Sequence, residues 1–207
     1  MKNIFQIFIF IFIVCACNNE SNIQNNNPKK VEKVNLKTII IQPYKGLPKV
    51  DVEFVAKELS IIYNKIEIRN PIPLPKKAFN LNRSRYRADS LIKILSNTTP
   101  SGFLTIGLTD KDISATKNNV QDWGLMGLGY CPGKSCIAST FRLNKAKKGL
   151  QLFKVAIHEL GHTEGLKHCL VKNCYMRDAK GKNHTDDLTS FCKKCKNVLL
   201  LKGWSLK

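Results

Sequence analysis

The chain has 207 residues and a formal charge of +19, with 43% hydrophobic and 24% charged residues. This length suits one domain with a hydrophobic core, and the near-average composition excludes a chain that is disordered throughout. The lysines are scattered rather than gathered in one run, which favours a solvated basic surface over a nucleic-acid site; attraction to anionic lipids or glycans is the alternative.

The chain begins MKNIFQIFIFIFIVCAC, a lysine followed by an apolar run from Ile4 to Ala16. The run is shorter than the roughly 20 residues that span a membrane. It is typical of the core of a signal peptide, with a short membrane anchor helix as the alternative.

The end of this run, VCAC, resembles a bacterial lipobox, in which cleavage precedes a cysteine that then carries acyl chains. The resemblance implies that residues 1–16 are a lipoprotein signal peptide and that Cys17 is the lipidated first residue. Several acyl chains would anchor the exported protein to a membrane, on its periplasmic or cell-surface side.

Residues 17–35 are rich in asparagine and contain almost nothing apolar. A segment of this kind cannot bury enough surface to fold, so it predicts a flexible tether. The folded domain is therefore expected to comprise residues 36–207.

Hydrophobic periodicity assigns the elements of this domain in chain order. The predicted strands are 36–44, 65–71, 102–110, 123–131 and 135–143. The predicted helices are 50–64, 85–97, 148–166 and 188–204. The order β-α-β-α-β-β-β-α-α predicts an α/β domain with a mixed, twisted sheet of about five strands and a C-terminal helix.

The predicted helix 148–166 contains the pattern H-E-x-x-H. Residues four apart share a helix face, so His158 and His162 can bind one metal ion from adjacent turns. Glu159 lies one step round the helix, where it can take a proton from water without binding the metal.

A glycine and a further histidine extend this pattern. Gly165 can adopt a left-handed conformation that ends the helix, and the chain can then return His168 as a third ligand. The remaining histidine, His184, lies in a polar stretch and is expected to be exposed.

The extended pattern H-E-x-x-H-x-x-G-x-x-H resembles the metzincin clan of zinc peptidases. The clan also has a methionine in a tight turn beneath the zinc, and Met176 is the candidate by that resemblance. Without the resemblance, a lone methionine is more often a filler of the core.

Four cysteines follow the histidines: Cys169, Cys174, Cys192 and Cys195. Two close pairs of thiolates match a tetrahedral structural zinc site. Because exported proteins meet oxidising conditions, two disulfides are the alternative. Cys131 and Cys136 flank a turn and favour a further disulfide, with free thiols as the alternative.

The stretch HELGHTEGLKHCLVKNCYM, followed by FCKKC, resembles the archaemetzincin family. The resemblance implies a metzincin-like domain with two zinc ions, one held by the three histidines and one by the four cysteines. It also implies peptide hydrolysis with Glu159 as general base, activity of an aminopeptidase-like kind, and a substrate strand added near residues 124–130.

The expected partners are a peptide or protein substrate and a membrane, with no nucleic acid, and the chain is expected to be a monomer. Two other functions remain open from the sequence. One is a non-catalytic, zinc-stabilised peptide-binding or scaffold lipoprotein, against which the intact Glu159 argues. The other is a basic zinc-ribbon-like nucleic-acid binder, which leaves the histidine pattern and the export signal unexplained.

Overall fold

Two β-sheets and four α-helices make up residues 36–206, the part of the chain that the computed structural model describes. The predicted signal peptide, the tether and Cys17 lie outside these described residues. Within residues 36–206, every helix is too short or too polar to cross a membrane.

Nine strands and four helices follow one another along the chain. The strands are β1 (Thr38–Pro43), β2 (Ile66–Ile68), β3 (Phe79–Asn80), β4 (Arg85–Arg87), β5 (Phe103–Thr109), β6 (Ile113–Lys117), β7 (Val120–Leu125), β8 (Gly127–Gly129) and β9 (Ser135–Ser139), all within residues 36–206. The helices of the same range are α1 (Lys49–Ser60), α2 (Ala88–Thr98), α3 (Lys148–Thr163) and α4 (Lys193–Leu200).

The larger sheet has five strands in the order β2-β1-β5-β9-β8. Its inner strands are parallel, whereas β8 pairs antiparallel with β9 at one edge. The central parallel strands β1, β5 and β9 are buried on both faces, which explains continuous apolar runs such as the fully buried Ile39–Ile41. The predicted α/β class and the mixed sheet of about five strands are confirmed.

Helices cover both faces of this sheet. Side chains of α1 and α3 pack on one face, together with Leu199 and Trp204 from the C-terminal segment. Leu91, Ile92 and Leu95 of α2 pack on the other face. The core therefore has three layers, and α3 lies under the edge that ends in β8.

A second sheet, in the order β3-β4-β6-β7, was not predicted. Its strands are short and carry charges, which hide the alternating pattern that a half-buried strand usually shows. Arg85 and Arg87 of β4 form ion pairs with Asp112 and Asp122. These pairs hold the second sheet together where apolar side chains are few.

Several predicted elements are longer than the observed ones, and three of the differences have a clear structural reason. The helix predicted from residue 85 begins at Ala88, because residues 85–87 form β4. The strand predicted over 123–131 is divided between the two sheets at Met126. The last helix is confined to α4, because the preceding residues 188–191 pair with the segment around Cys174.

Candidate active site and metal centres

Helix α3 and the turn after it bring three imidazole rings together. The ring centroids of His158 and His162 are 4.6 Å apart, and His168 lies 5.4 and 4.9 Å from them. One ligand nitrogen from each ring lies within 4.8 Å of the others. The structure therefore brings the three histidines singled out in the sequence into one cluster.

The return of the chain depends on Gly165, which has a φ of +94°. The Gly165 N–H donates to the His162 carbonyl at 2.8 Å, and the Leu166 N–H donates to the Gly161 carbonyl at 3.0 Å. These two bonds form a Schellman motif, which satisfies carbonyls at the helix end. The expected left-handed glycine after the helix is confirmed.

Hydrogen bonds determine which nitrogen of each ring is available. His158 Nδ1 donates to the Tyr175 carbonyl at 2.6 Å, and His162 Nδ1 donates to the Leu166 carbonyl at 2.7 Å. Since a carbonyl only accepts, each Nδ1 carries the proton and each Nε2 keeps its lone pair. The same arrangement is usual for histidines that bind metal ions.

The two Nε2 atoms lie 3.0 Å apart. Two lone pairs facing each other at this distance repel, and a cation shared between them removes the repulsion. Burial and then the charge of His162 lower the pKa of His158 to about 3, and burial lowers that of His162. Both rings are thus neutral at neutral pH, the form that binds zinc, so the donor set fits this ion.

The carboxyl group of Glu159 lies beside the cluster and is 6% exposed. Burial raises its pKa to about 8. Strand β8 lies close to it: a Cβ atom added at Gly127 would lie 2.6 Å from Glu159 Oε1, and one added at Gly129 would lie 2.8 Å from the main-chain oxygen of Glu159 and 3.3 Å from its Oε2. Only glycine at these positions leaves room for the carboxylate.

A cleft of about 610 Å³ opens over the three histidines. Helix α3 forms its floor, β7 and β8 form one wall, and the segment 177–185 forms the other wall. Its basic lining residues are Lys117, Arg142, Lys154, Lys167, Arg177, Lys180 and Lys182, and its acidic ones are Glu159 and Asp178. The cleft is therefore an open, positively charged channel that ends on the histidine cluster.

Met176 is fully buried under the same helix. A Cβ atom added at Gly161 would lie 2.5 Å from its sulfur, so Met176 packs on the turn of α3 between His158 and His162. The Met176 carbonyl accepts a hydrogen bond from the Cys169 N–H at 2.8 Å. This bond ties the segment below the histidines to the residue that follows His168.

The four cysteines that follow the histidines form a second cluster. The sulfur atoms of Cys169, Cys174, Cys192 and Cys195 all lie within 4.8 Å of one another, and none of the four is in a disulfide. Cys174 Sγ accepts hydrogen bonds from the N–H groups of Met176 and Cys192. N–H donors of this kind stabilise a thiolate, so the donor set fits a tetrahedral zinc ion.

The thiol of Cys192 has a lowered pKa. Although burial raises its pKa, hydrogen bonds from the Cys195 N–H and from the neighbouring thiols lower it to about 7. A thiol that loses its proton readily is suited to metal binding.

Two expectations about single residues are wrong. Cys131 and Cys136 are free thiols rather than a disulfide: Cys136 is fully buried in the core, and Cys131 Sγ lies 3.3 Å from the Leu166 carbonyl. His184 is partly buried rather than exposed, with 25% of its side chain accessible, and it lines the cleft.

Two residues of the cleft, Lys154 and Trp123, were not predicted from the sequence. Lys154 is 9% exposed and Trp123 is 36% exposed, and both line the cleft. Lys154 precedes His158 by four residues, so the rule that placed two histidines on one helix face also places Lys154 there. Trp123 carries no comparable signal, because its position depends on the second sheet.

Comparisons with known proteins agree with this geometry. A model of peptidase family M54 matches residues 20–200. The archaemetzincin of Archaeoglobus fulgidus is 32% identical over 162 residues, which cover 76% of this chain and 95% of that protein. The archaemetzincin of Natronomonas pharaonis is 28% identical and covers 77% of this chain and 98% of its own.

Solved structures give the same picture. The crystal structure of the Archaeoglobus fulgidus archaemetzincin, complexed with malonate, has a TM-score of 0.68 at 30% identity, covering 78% of this chain and 99% of that one. The archaemetzincin of Methanopyrus kandleri also has a TM-score of 0.68, at 25% identity, covering 84% of this chain and 97% of that one.

Proposed function

Since this chain belongs to peptidase family M54, the archaemetzincins, and is a zinc metallopeptidase, we propose that its cleft on α3 is the catalytic site. The three clustered histidines would hold the catalytic zinc, and Glu159 would act as general base. The observation that carries this proposal is the convergence of three imidazole nitrogens beside one buried carboxyl group.

Zinc bound to the three histidines supplies Lewis acidity, which polarises the peptide carbonyl and makes water easier to deprotonate. The Nδ1–H bonds to Tyr175 and Leu166 fix the rings of His158 and His162, so that both Nε2 atoms point to one place. Glu159 accepts the proton of the attacking water and passes it to the leaving amine.

The substrate would bind as an extended strand along β8. This strand pairs only with β9 among the described residues, so its other edge is available beside the cleft. Main-chain hydrogen bonds to an added strand give affinity without dictating sequence. The expected location near residues 124–130 includes all of β8.

Replacing Glu159 tests the mechanism. We expect Glu159→Gln to lower kcat about 10²- to 10⁴-fold, because the amide cannot accept the proton, while the zinc content stays unchanged. Glu53→Gln, an exposed change on α1, is the matched control and should keep full activity. Equal hydrolysis by Glu159→Gln and the native protein would refute the role of Glu159.

We also propose that the four cysteines hold a second, structural zinc ion. Their free thiols, their proximity and the N–H donors around Cys174 support this assignment. The metal content of the purified full chain decides the matter. Two zinc ions per chain are expected, whereas one zinc ion together with loss of free thiols would indicate disulfides in the second cluster.

We further propose that the protein is an exported, monomeric lipoprotein, with residues 1–16 as signal peptide, Cys17 as the lipidated residue and 17–35 as tether. The apolar run and the VCAC sequence support this proposal. Mass spectrometry of protein purified from membranes should show a chain that begins at acylated Cys17. Cys17→Ser should leave the chain unprocessed, and normal processing of that variant would contradict the proposal.

A further inference from the structure

We propose that Lys154 forms a subsite for a carboxylate of the bound peptide, so that the protein selects peptides with a carboxylate close to the scissile bond. The inference rests on the proposed function of the cleft. It names a substrate class that neither the family nor the zinc ligands specify.

Lys154 occupies a position from which it can reach the substrate. It precedes His158 by four residues on α3 and therefore lies about 6 Å further along the same helix face. An extended peptide advances about 3.3 Å per residue. A peptide that crosses the histidines along this face of α3 would thus bring a group one or two residues from the scissile bond to Lys154.

The ammonium group of Lys154 is buried but only partly satisfied. The residue is 9% exposed, and its Nζ donates one hydrogen bond, at 2.8 Å, to the Thr185 carbonyl. A lysine has three N–H donors, and a buried charge without a counter-charge is costly. Lys154 can therefore donate further hydrogen bonds to an anion that enters the cleft and can balance its charge.

The carboxylate next to Lys154 is engaged by other residues. Within residues 36–206, Lys154 forms no ion pair. The adjacent carboxylate, Asp186, uses one oxygen for Gln151 and the other for Lys147. Asp186 therefore reduces the positive charge near Lys154 without occupying its free donors.

Charged residues on the rim of the cleft add to the positive electrostatic potential around Lys154. Four exposed lysines on its rim form no ion pair within the described part of the chain: Lys117, Lys167, Lys180 and Lys182. The rim arginines have carboxylate partners: Arg142 pairs with Asp112, which also pairs with Arg85, and Arg177 pairs with Asp187. The rim would attract anionic peptides at long range, and Lys154 would fix the position of one carboxylate.

Matched pairs of quenched fluorogenic peptides test the proposal with the purified, zinc-loaded full chain. One set of pairs exchanges Glu for Gln at each of the two positions on either side of the scissile bond. Another pair exchanges a free C-terminal carboxylate for the C-terminal amide. The measured quantity is the ratio of kcat/KM for the acidic peptide to that for its amide partner.

We expect the native protein to favour the acidic member of at least one pair by about tenfold or more, as a charged hydrogen bond in a buried site would give. The pair that shows the preference identifies the source of the carboxylate as a side chain or the chain terminus. In Lys154→Met the ratio should fall towards one. Lys57→Met, an exposed change of equal charge on α1, should keep the native ratio.

Two results would overturn the subsite. One is a native ratio near one for every pair. The other is a Lys154→Met variant that loses activity equally on both members of each pair, which would make Lys154 only a support for the segment at Thr185. Lys154→Gln, which keeps a donor for the Thr185 carbonyl, should restore that support but not the preference for acidic peptides.

A binding measurement separates this inference from the proposed function. Fluorescence anisotropy of labelled acidic and amide peptides with the Glu159→Gln protein requires no hydrolysis. Suppose that the native protein cleaves none of the peptides, while the acidic peptide binds about tenfold tighter than its amide partner and Lys154 is required for the difference. The catalytic proposal then fails and the subsite stands. If both peptides bind equally, the subsite fails whatever the activity.

Discussion

The imidazole rings of His158 and His162 each donate a hydrogen bond to a main-chain carbonyl rather than to a carboxylate. The carbonyls belong to Tyr175 and Leu166, which lie in the segment after α3. Mutation of a side chain cannot remove these bonds, but displacement of that segment can. The orientation of His158 and His162 therefore depends on the same residues that bring back the third histidine.

His168 is the most exposed of the three clustered histidines, with 50% of its side chain accessible. Loss of a group that hydrogen-bonds to a zinc ligand lowers zinc affinity by roughly 10- to 100-fold. We expect His168→Ala to lower the affinity of the histidine cluster for zinc by more than this, because a proposed ligand itself is lost. Competition with a chromogenic chelator measures the affinity.

His184→Ala is the control for this experiment. His184 lines the same cleft but does not belong to the histidine cluster, so this variant should bind zinc as the native protein does. An unchanged affinity in His168→Ala, or an equal loss in both variants, would exclude His168 as a specific ligand.

At the scale of elements, the decisive contact is the close approach of β8 to α3. Gly127 and Gly129 have no side chain, and this brings the strand edge against Glu159. The contact therefore fixes the position of Glu159, the proposed general base, relative to the backbone of β8. The two glycines are therefore needed for close packing against α3 and not for the conformation of a turn.

We expect Gly127→Ala to lower kcat about tenfold or more while the zinc content remains native. Its Cβ atom would fall 2.6 Å from Glu159 Oε1, and the carboxylate must move to avoid it; a displacement of about 1 Å costs up to 10²-fold. Steady-state kinetics with parallel zinc analysis is the test. Val120→Ala, on the exposed end of β7, should change neither quantity, and normal activity in Gly127→Ala would show that the approach has no catalytic role.

The elements differ in how well the sequence predicts them. Strands such as β1 and β5 are predictable because buried parallel strands are continuous apolar runs. The second sheet was missed because Arg85 and Arg87 of β4 are charged and their ion pairs are with distant aspartates. The spacing of His158, His162 and Gly165 predicts the helix and its end, since each position has a local mechanical reason.

Other parts of the site depend on contacts that no local pattern contains. The glycines of β8 face Glu159 only because β8 pairs with β9 above α3. Trp123 reaches the cleft from the second sheet. Lys154 was predictable from helix spacing, but its burial depends on the segment at Thr185.

At the scale of the whole molecule, one segment joins the two candidate metal centres. Cys169 follows His168 directly, and its N–H is bonded to the carbonyl of Met176 beneath α3. Cys192 and Cys195 lie at the start of α4, against the core that α1 and α3 share. Loss of the cysteine cluster would therefore loosen the segment that carries the third histidine.

We expect Cys195→Ser to abolish binding of zinc at the cysteine cluster, to lower Tm, and to weaken binding of zinc at the histidine cluster as well. The physical reason is that the energy of zinc binding to a structural site contributes directly to folding. Thermal denaturation and zinc analysis measure the three effects. Cys131→Ser changes a free thiol outside the cluster and should leave all three unchanged.

If Cys195→Ser kept two zinc ions and the native Tm, the cysteine cluster would not be a metal site. If it lost one zinc ion but kept full affinity for the other, the two centres would be independent. The second result would refute the coupling while leaving the second site in place.

The short edge strand β8 also affects the tendency of the protein to associate with other copies of itself. An unpaired edge is a template for another copy of the chain, and long, flat edges of this type promote aggregation. The open edge of β8 is only as long as Gly127–Gly129, and the adjoining rim carries lysines without ion pairs in the described part of the chain. Two copies that paired along this edge would gain few hydrogen bonds and would bring like charges together. The edge can thus accept a single extended peptide while it discourages self-association.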